Sequence, residues 1–315
     1  RALPGVHAVL TWEDSPRRRF STALHDDYRV DADDKRVLDD VVRFVGQRVA
    51  AVVAETDSIA QEGCNLLEVE YERKPSVHDP ELAMQDGAPR VHQDDHASVL
   101  LHPKSNVLLE LEGGVGEIDQ GFAEADLIHE STMQTSRVQH VHLETHCSIV
   151  SITDEGDLEV RTSTQAPFIA REKLAHIFGV AIPKIRVYKD RVGGVFGGKQ
   201  EVISEDLAVL AAIKTKRPCK FDFTRQEEFI GASFRHPMKV SVKTGHKSDG
   251  TMTALQLKVI SDTGAYGNHG GETLYSACHE PVSLYRCRNK KIHGFSIYTN
   301  NVPSGGFRGY GASQT

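Results

Sequence analysis

Apolar residues recur along the chain at two spacings, and the alternation between them marks out the elements. Ala8 to Trp12 reads as a short strand, and Arg48-Val49-Ala50-Ala51-Val52-Val53-Ala54 is a nearly continuous apolar run of strand length. Thr56 stands where a hydroxyl can accept from the first turn of a helix running to about Asn65. Leu67-Glu68-Val69-Glu70-Tyr71 then alternates as a half-buried strand. This strand–helix–strand unit predicts a small α/β domain over residues 1–75. Residues 76–106, rich in Asp, His and Pro, read as a connecting segment.

A second domain is expected over 107–315. Gly121 to Asp126 is a short amphipathic piece, and Leu158 to Thr164 alternates as a strand. Ala170, Leu174, Ile177 and Phe178 share one helical face, and Pro183 follows that helix. Ile185 to Tyr188 is strand-like. A helix is predicted over Glu201–Thr215, with Ile203, Leu207, Leu210 and Ala211 along one face. Lys214 and Lys216 sit at its C-terminal end, where the dipole favours cations. Met238, Val240 and Val242 alternate, as do Leu255, Leu257 and Val259. Ser248-Asp249-Gly250 between them predicts a β-hairpin. The pattern is that of an α+β protein.

Composition narrows the function. The chain has 315 residues, 39% of them hydrophobic, a mean hydropathy of -0.37 and a net charge of -7. A nucleic-acid binder would carry a basic stripe instead. No apolar run approaches the roughly 18 residues of a membrane span. The five cysteines, at 64, 147, 219, 278 and 287, contain no C-x-x-C pair. That argues against a structural zinc or iron–sulfur site held by cysteines, and fits reduced thiols in a cytoplasm. The chain opens on Arg1 and ends at Thr315 just past a glycine-rich turn, so a piece of a longer protein is expected.

The candidate chemistry centres on Arg191-Val192-Gly193-Gly194-Val195-Phe196-Gly197-Gly198-Lys199-Gln200, with four glycines and one aromatic in six residues. Glycines between a strand and a helix let the backbone turn sharply and approach a ligand. Gly193 and Gly198-Lys199 meet the G-x-x-x-x-G-K spacing of a phosphate loop, which leaves a P-loop nucleotide-binding protein as an alternative of another class. Gln200 nevertheless stands where that loop needs Ser or Thr for magnesium. The dinucleotide pattern starting at Gly114-Val115-Gly116 fails, because Asp119 replaces its last glycine. His140, His142 and His146 raise the question of a metal. His142 and His146 would share a face only in a helix, and the β-like flanks argue against one, so no side-chain metal ligand is expected.

Other turns share this polar, glycine-bearing character: Thr164-Gln165-Ala166-Pro167, Leu143-Glu144-Thr145-His146-Cys147, Arg235-His236-Pro237, Thr263-Gly264-Ala265-Tyr266 and Ser304-Gly305-Gly306-Phe307-Arg308-Gly309-Tyr310-Gly311-Ala312-Ser313-Gln314. A large polar cofactor threaded between loops would use such turns. Together and in this order they resemble the molybdenum hydroxylase family, the xanthine dehydrogenase and aldehyde oxidase group. The 45–54 and 67–72 segments resemble that family's α/β-hammerhead domain. The likeness is greatest to the molybdenum-binding subunits of bacterial xanthine dehydrogenases.

The resemblance implies an α/β-hammerhead domain followed by a mixed α/β molybdopterin-binding domain, incomplete at its C-terminus. It implies a molybdenum–molybdopterin cofactor, as the pterin or its dinucleotide. Gln165 would hydrogen-bond the apical oxo ligand. Phe196 and Gly197 would set backbone groups beside the metal's ligands, and Arg308 would contact the pterin or a metal oxygen. Gln200, Phe307 and Tyr310 would face the substrate. Read without the family, Gln165 could merely satisfy a turn and Phe196 could be core.

The activity implied is hydroxylation of a purine such as hypoxanthine or xanthine, with oxygen from water. Another N-heterocycle or an aldehyde is the alternative substrate. Electrons would pass to two-iron, two-sulfur clusters and FAD on partner domains or subunits, in a dimer of the assembled unit. The family's general-base glutamate would lie C-terminal to Thr315, so the piece alone is expected to be inactive. Two departures bear on the substrate. Gln200 stands where animal xanthine enzymes carry Glu, and 267–285 lacks the arginine those enzymes carry on the segment after the Thr263–Tyr266 run.

Overall fold

The computed structural model describes residues 3–23, 32–93 and 105–315. These divide into two compact units that interleave along the chain. One gathers the residues before 24, Asp33 to Pro75 and His140–Ser233; the other gathers Ala32, the described part of Ser76–Gln139, and Phe234–Thr315.

In the first unit, β1 (Val6–Leu10) pairs antiparallel with β2 (Ala51–Ala54). The helix α1 (Asp57–Asn65) follows, and the Thr56 hydroxyl accepts from the Ile59 N–H as expected of its cap. A four-stranded sheet has the order β7 (Ile185–Tyr188), β6 (Leu158–Thr162), β5 (Cys147–Ile152), β8 (Cys219–Asp222). β5 and β6 are antiparallel, whereas β6 and β7 are parallel and joined by α4 (Pro167–Phe178). Proline at the start of α4 and Gly179 in the left-handed region at its end fix its length. Helix α5 (Glu205–Thr215) covers β5 and is buried continuously from Glu205 to Ala212. Leu174, Ile177, Val150, Val160, Leu207 and Leu210 fill the core between these layers, each worth about 1.5–3 kcal/mol when fully buried.

Three boundaries differ from the sequence reading. β1 begins and ends two residues earlier, and β2 keeps only the last four residues of the seven-residue run 48–54. The helix expected from Glu201 starts at Glu205. Glu201 instead bridges to Ala23, and the Glu205 carboxylate accepts from the Ile203 and Ser204 N–H groups, which holds that turn open. The strand expected over Leu67–Tyr71 is absent. Alternation yields a strand only where a neighbour takes up its backbone groups, and here Val69 and Tyr71 face solvent. The short helix α6 (Arg225–Gly231), with a Thr224/Glu227 capping box, was not foreseen.

The second unit is a five-stranded sheet in the order β3 (Val107–Val115), β11 (Asn289–Tyr298), β10 (Met252–Gly264), β9 (Met238–His246), β4 (Leu127–Gln134). The predicted β9–β10 hairpin is present, its loop closed by the Lys247 N–H on the Thr251 carbonyl. β10 and β11 are parallel and linked by α7 (Gly270–Ser283). That helix lays Leu274, Ala277 and Cys278 on Met238, Val240, Leu257 and Val259. The remaining helices are α2 (Pro80–Ala83), inside the expected connecting segment, and α3 (Ile118–Ala123). Residues 94–104 of that segment lie outside the described residues. Among the described residues no helix is long and apolar enough to cross a membrane.

Candidate functional site

In the first unit, two of the singled-out turns are joined directly. The Gln165 N–H donates to the Lys199 carbonyl at 2.9 Å, which draws the turn before α4 against the glycine loop after β7. The Gln165 side-chain oxygen is buried and has no hydrogen-bond partner among the described residues. A terminal amide carries an acceptor and two donors, and rotating it by half a turn puts the NH2 in that place. A Gln that merely satisfied a turn would not leave this end unmet.

The loop itself is bent at two successive residues. Phe196 has φ 49° and Gly197 φ 100°, both left-handed, so the peptide groups of 196–197 are turned out of any helix or strand direction. Phe196 is 50% exposed, so it is not an ordinary core residue. Gly198 lies on His140, where a Cβ would come within 2.7 Å of the imidazole. Gln200 closes the turn with its N–H on the Gly197 carbonyl at 3.2 Å.

Lys199 answers the phosphate-loop alternative. Its ammonium is fully buried and bonds Ser163 Oγ at 2.6 Å and Glu144 Oε2 at 3.2 Å. Burial pushes the Lys199 pKa down, and Glu144 opposes that shift. Burial also opposes the charge on Glu144, but the Gly193 N–H and Lys199 hold its carboxyl below the usual range. The lysine therefore locks the loop from within, and α5 does not begin until Glu205.

Behind the loop lies a cluster that the sequence did not assemble. His142 and His146 bring their rings to 5.2 Å without a helix, through a bend in which Val141 has φ 53°. Glu228, from α6, is fully buried beside them, with Oε1 2.9 Å from His146 Nδ1. Burial opposes the charge on Glu228, yet the His146 ring beside it and the His146 backbone N–H hold its carboxyl low. Glu228 gives no sequence signal of this role, since it sits in an ordinary capped helix.

The second unit positions the remaining candidates. Arg235 gathers the 305–314 loop: its guanidinium bonds the Arg308 and Tyr310 carbonyls, each at 3.2 Å, and Ser313 Oγ at 3.0 Å. It also stacks on the Phe307 ring, 3.9 Å from the centroid. Burial pushes the Arg235 pKa down. Arg308 is exposed, and Tyr310, at φ 44°, is half-buried near His269. Gly311 packs on α7, where a Cβ would meet the Thr273 carbonyl oxygen at 2.4 Å. Arg235 is the organiser that the sequence reading left without a role. Beneath this loop Arg137 pairs with Asp262 at 2.7 Å.

A family model described as the molybdopterin cofactor-binding domain matches residues 101–315, and the aldehyde oxidase and xanthine dehydrogenase a/b hammerhead domain matches 1–75. The chain belongs to the molybdenum hydroxylase family. This molybdenum hydroxylase chain is 36% identical over 342 residues to the "Probable hypoxanthine oxidase XdhD" of Escherichia coli, covering 99% of the chain and 35% of that relative. It is 32% identical over 315 residues to the "Nicotinate dehydrogenase large molybdopterin subunit" of Eubacterium barkeri, covering 100% of the chain and 70% of that relative. The aldehyde oxidoreductase of Desulfovibrio gigas superposes with a TM-score of 0.86 at 26% identity, over 99% of the chain and 34% of that structure. The chain thus spans about a third of the oxidase and of the solved aldehyde oxidoreductase.

Proposed function

We propose that this chain is the cofactor-holding part of a molybdenum hydroxylase that acts on a purine of the hypoxanthine or xanthine type. The observation that carries the reading is Gln165: a half-buried residue whose side-chain oxygen is buried and unmet, tied to the glycine loop by the Lys199 carbonyl. Such an end fits an oxo group of a bound cofactor, and the left-handed 196–197 backbone in the same loop as Lys199 is consistent with a ligand approached by main-chain groups. When bound, the molybdenum–pterin would supply the redox chemistry and the oxygen-transfer centre.

The chain's own residues bind and orient. Gln165, Phe196 and Gly197 are assigned to the cofactor, as is Arg308, whose guanidinium forms no ion pair among the described residues. Gln200, Phe307 and Tyr310 are assigned to the substrate. Arg235 holds the 307–310 backbone so that Phe307 keeps one orientation. Lys199, bonded to Ser163 and Glu144, holds the glycine loop in place. Electrons would leave to 2Fe-2S clusters and FAD on partner domains or subunits, and the whole would work as a dimer in the cytoplasm.

The purine assignment leans on the hypoxanthine oxidase likeness. Oxidation of a nicotinate-type ring is the second reading, favoured by the nicotinate dehydrogenase likeness and by Gln200 in place of an acidic residue. Turnover of hypoxanthine, xanthine and nicotinate by the assembled enzyme separates them. Faster turnover of hypoxanthine supports the first reading; turnover of nicotinate alone replaces it with the second.

A further inference from the structure

The His142, His146 and Glu228 cluster is not used by the proposed chemistry. Its ligand-type atoms all lie within 4.8 Å of one another, and all three side chains are buried. The hydrogen bonds around it fix where the lone pairs point. His142 Nδ1 lies 2.5 Å from the Glu144 carbonyl oxygen, which can only accept, so Nδ1 carries the proton. Its Nε2 is then a bare lone pair. That atom is buried, has no hydrogen-bond partner among the described residues, and faces Glu228 Oε2 at 4.0 Å.

His146 repeats the arrangement from the other side. Its Nε2 lies 3.0 Å from the Gly198 carbonyl oxygen and must donate to it. Its Nδ1 therefore turns toward Glu228, at 2.9 Å from Oε1 and 3.0 Å from Oε2. Two imidazole lone pairs therefore point at one carboxylate, which accepts from the His146 backbone N–H, and the His142 lone pair has no donor among the described residues. A proton on His146 would join it to Glu228 but would leave His142 Nε2 unmet. One cation between all three meets every atom.

We propose that His142 Nε2, His146 Nδ1 and Glu228 bind a single zinc-type divalent ion with a structural role. Imidazole donors whose other nitrogen donates to a backbone carbonyl are the usual zinc arrangement, because that bond fixes tautomer and ring orientation. Tetrahedral zinc with bonds of about 2.0–2.1 Å sets its ligand atoms roughly 3.3 Å apart. The two histidine-to-Glu228 separations, 2.9 and 4.0 Å, bracket that spacing, and all the donor atoms lie within 4.8 Å of one another. A water or the second Glu228 oxygen completes the shell. The nearby Lys199 charge is offset by Glu144, so the added cation meets two carboxylates and one ammonium. The ion ties the 142–146 bend to α6, and through His146 Nε2 to Gly198, so it braces the glycine loop from behind.

The test uses the full-length assembled enzyme, incubated with zinc sulfate, dialysed against a chelator, and assayed for zinc and molybdenum in the same sample. About one zinc per chain should be retained. His142→Gln should weaken retention by at least about tenfold, with molybdenum content and circular dichroism unchanged. Anomalous diffraction at the zinc edge should place the ion between the three side chains without any variant. A folded wild-type enzyme that keeps no zinc, a His142→Gln enzyme that keeps as much, or an anomalous peak elsewhere would overturn the site and leave a protonated His146 as Glu228's partner. Molybdenum content bears on the cofactor and not on this ion, so the two readings fail separately.

Discussion

Gln165 and Lys199 are joined by a 2.9 Å backbone hydrogen bond, while the Gln165 side-chain oxygen beside it stays buried and unmet. The backbone fixes the residue and leaves its amide for a ligand. Gln165→Ala in the assembled enzyme should lower kcat by about 10²-fold, as for other single donors to a reacting oxygen, with molybdenum content kept. Steady-state kinetics with metal analysis measures this. An unchanged kcat would remove Gln165 from the site.

Gly311 has room for no side chain, since a Cβ would sit 2.4 Å from the Thr273 oxygen and 2.5 Å from Ala277 Cβ. Gly311→Ala should push the 305–314 loop off α7 and destabilise the protein by about 1–3 kcal/mol. Denaturant unfolding reports the loss. The neighbouring Gly309, whose Cβ would meet only Ser313, should cost less in contact but retains its left-handed strain at φ 87°.

Asp262 is the polar hub of the second unit. It accepts from Arg137 and Asn301 on one oxygen and from Thr299 and the Gly264 N–H on the other. Asp262→Ala would leave the Arg137 charge buried without its partner, a loss of about 3–5 kcal/mol. The fall in the unfolding midpoint should exceed that of Glu112→Ala, whose pair with Lys291 is largely exposed. Equal effects would mean that the hub carries no special stability.

Acid should weaken the fold through His236. Burial first, then the charges of Arg137, His269 and Arg235, holds its pKa well below the ordinary histidine value of about 6.5. The folded chain keeps it neutral while the unfolded chain takes up a proton as pH falls through about 6.5. Its contribution is thus present above that pH and declines below it, by up to about 1.4 kcal/mol per pH unit. Denaturant unfolding between pH 7 and 5 should show a shallower slope for His236→Gln than for the wild type. Identical slopes would contradict the buried neutral histidine.

What the sequence made legible were features with a local cause. The Thr56 cap and the β9–β10 turn each rest on residues within one turn of chain, and each is found in place. The Leu67–Tyr71 strand failed because its period was right but no pairing strand is supplied. α7 was hidden by glycines at its start and Pro281 within its last turn, and it forms because its Leu274–Cys278 face covers the sheet. α5 showed one apolar stripe but is buried beyond it, since Glu205 and Asp206 are held by Thr162 and Arg48.

The site divides the same way. The glycine loop and the Gln165 turn could be read from residue types, but their mutual bond could not. Lys199 fitted the phosphate-loop spacing only as an alternative, and the bonds that occupy it, to Glu144 and Ser163, come from residues 36 or more positions away. Glu228 and Arg235 were silent because their roles depend on partners brought from far along the chain, His146 and the 308–313 backbone.

The most direct measurement is the molybdenum and pterin content of the active, assembled enzyme purified with this chain. The account predicts about one molybdenum and one pterin per chain, both lost with activity when the cofactor is stripped. Full hydroxylase activity in a complex holding neither would contradict it.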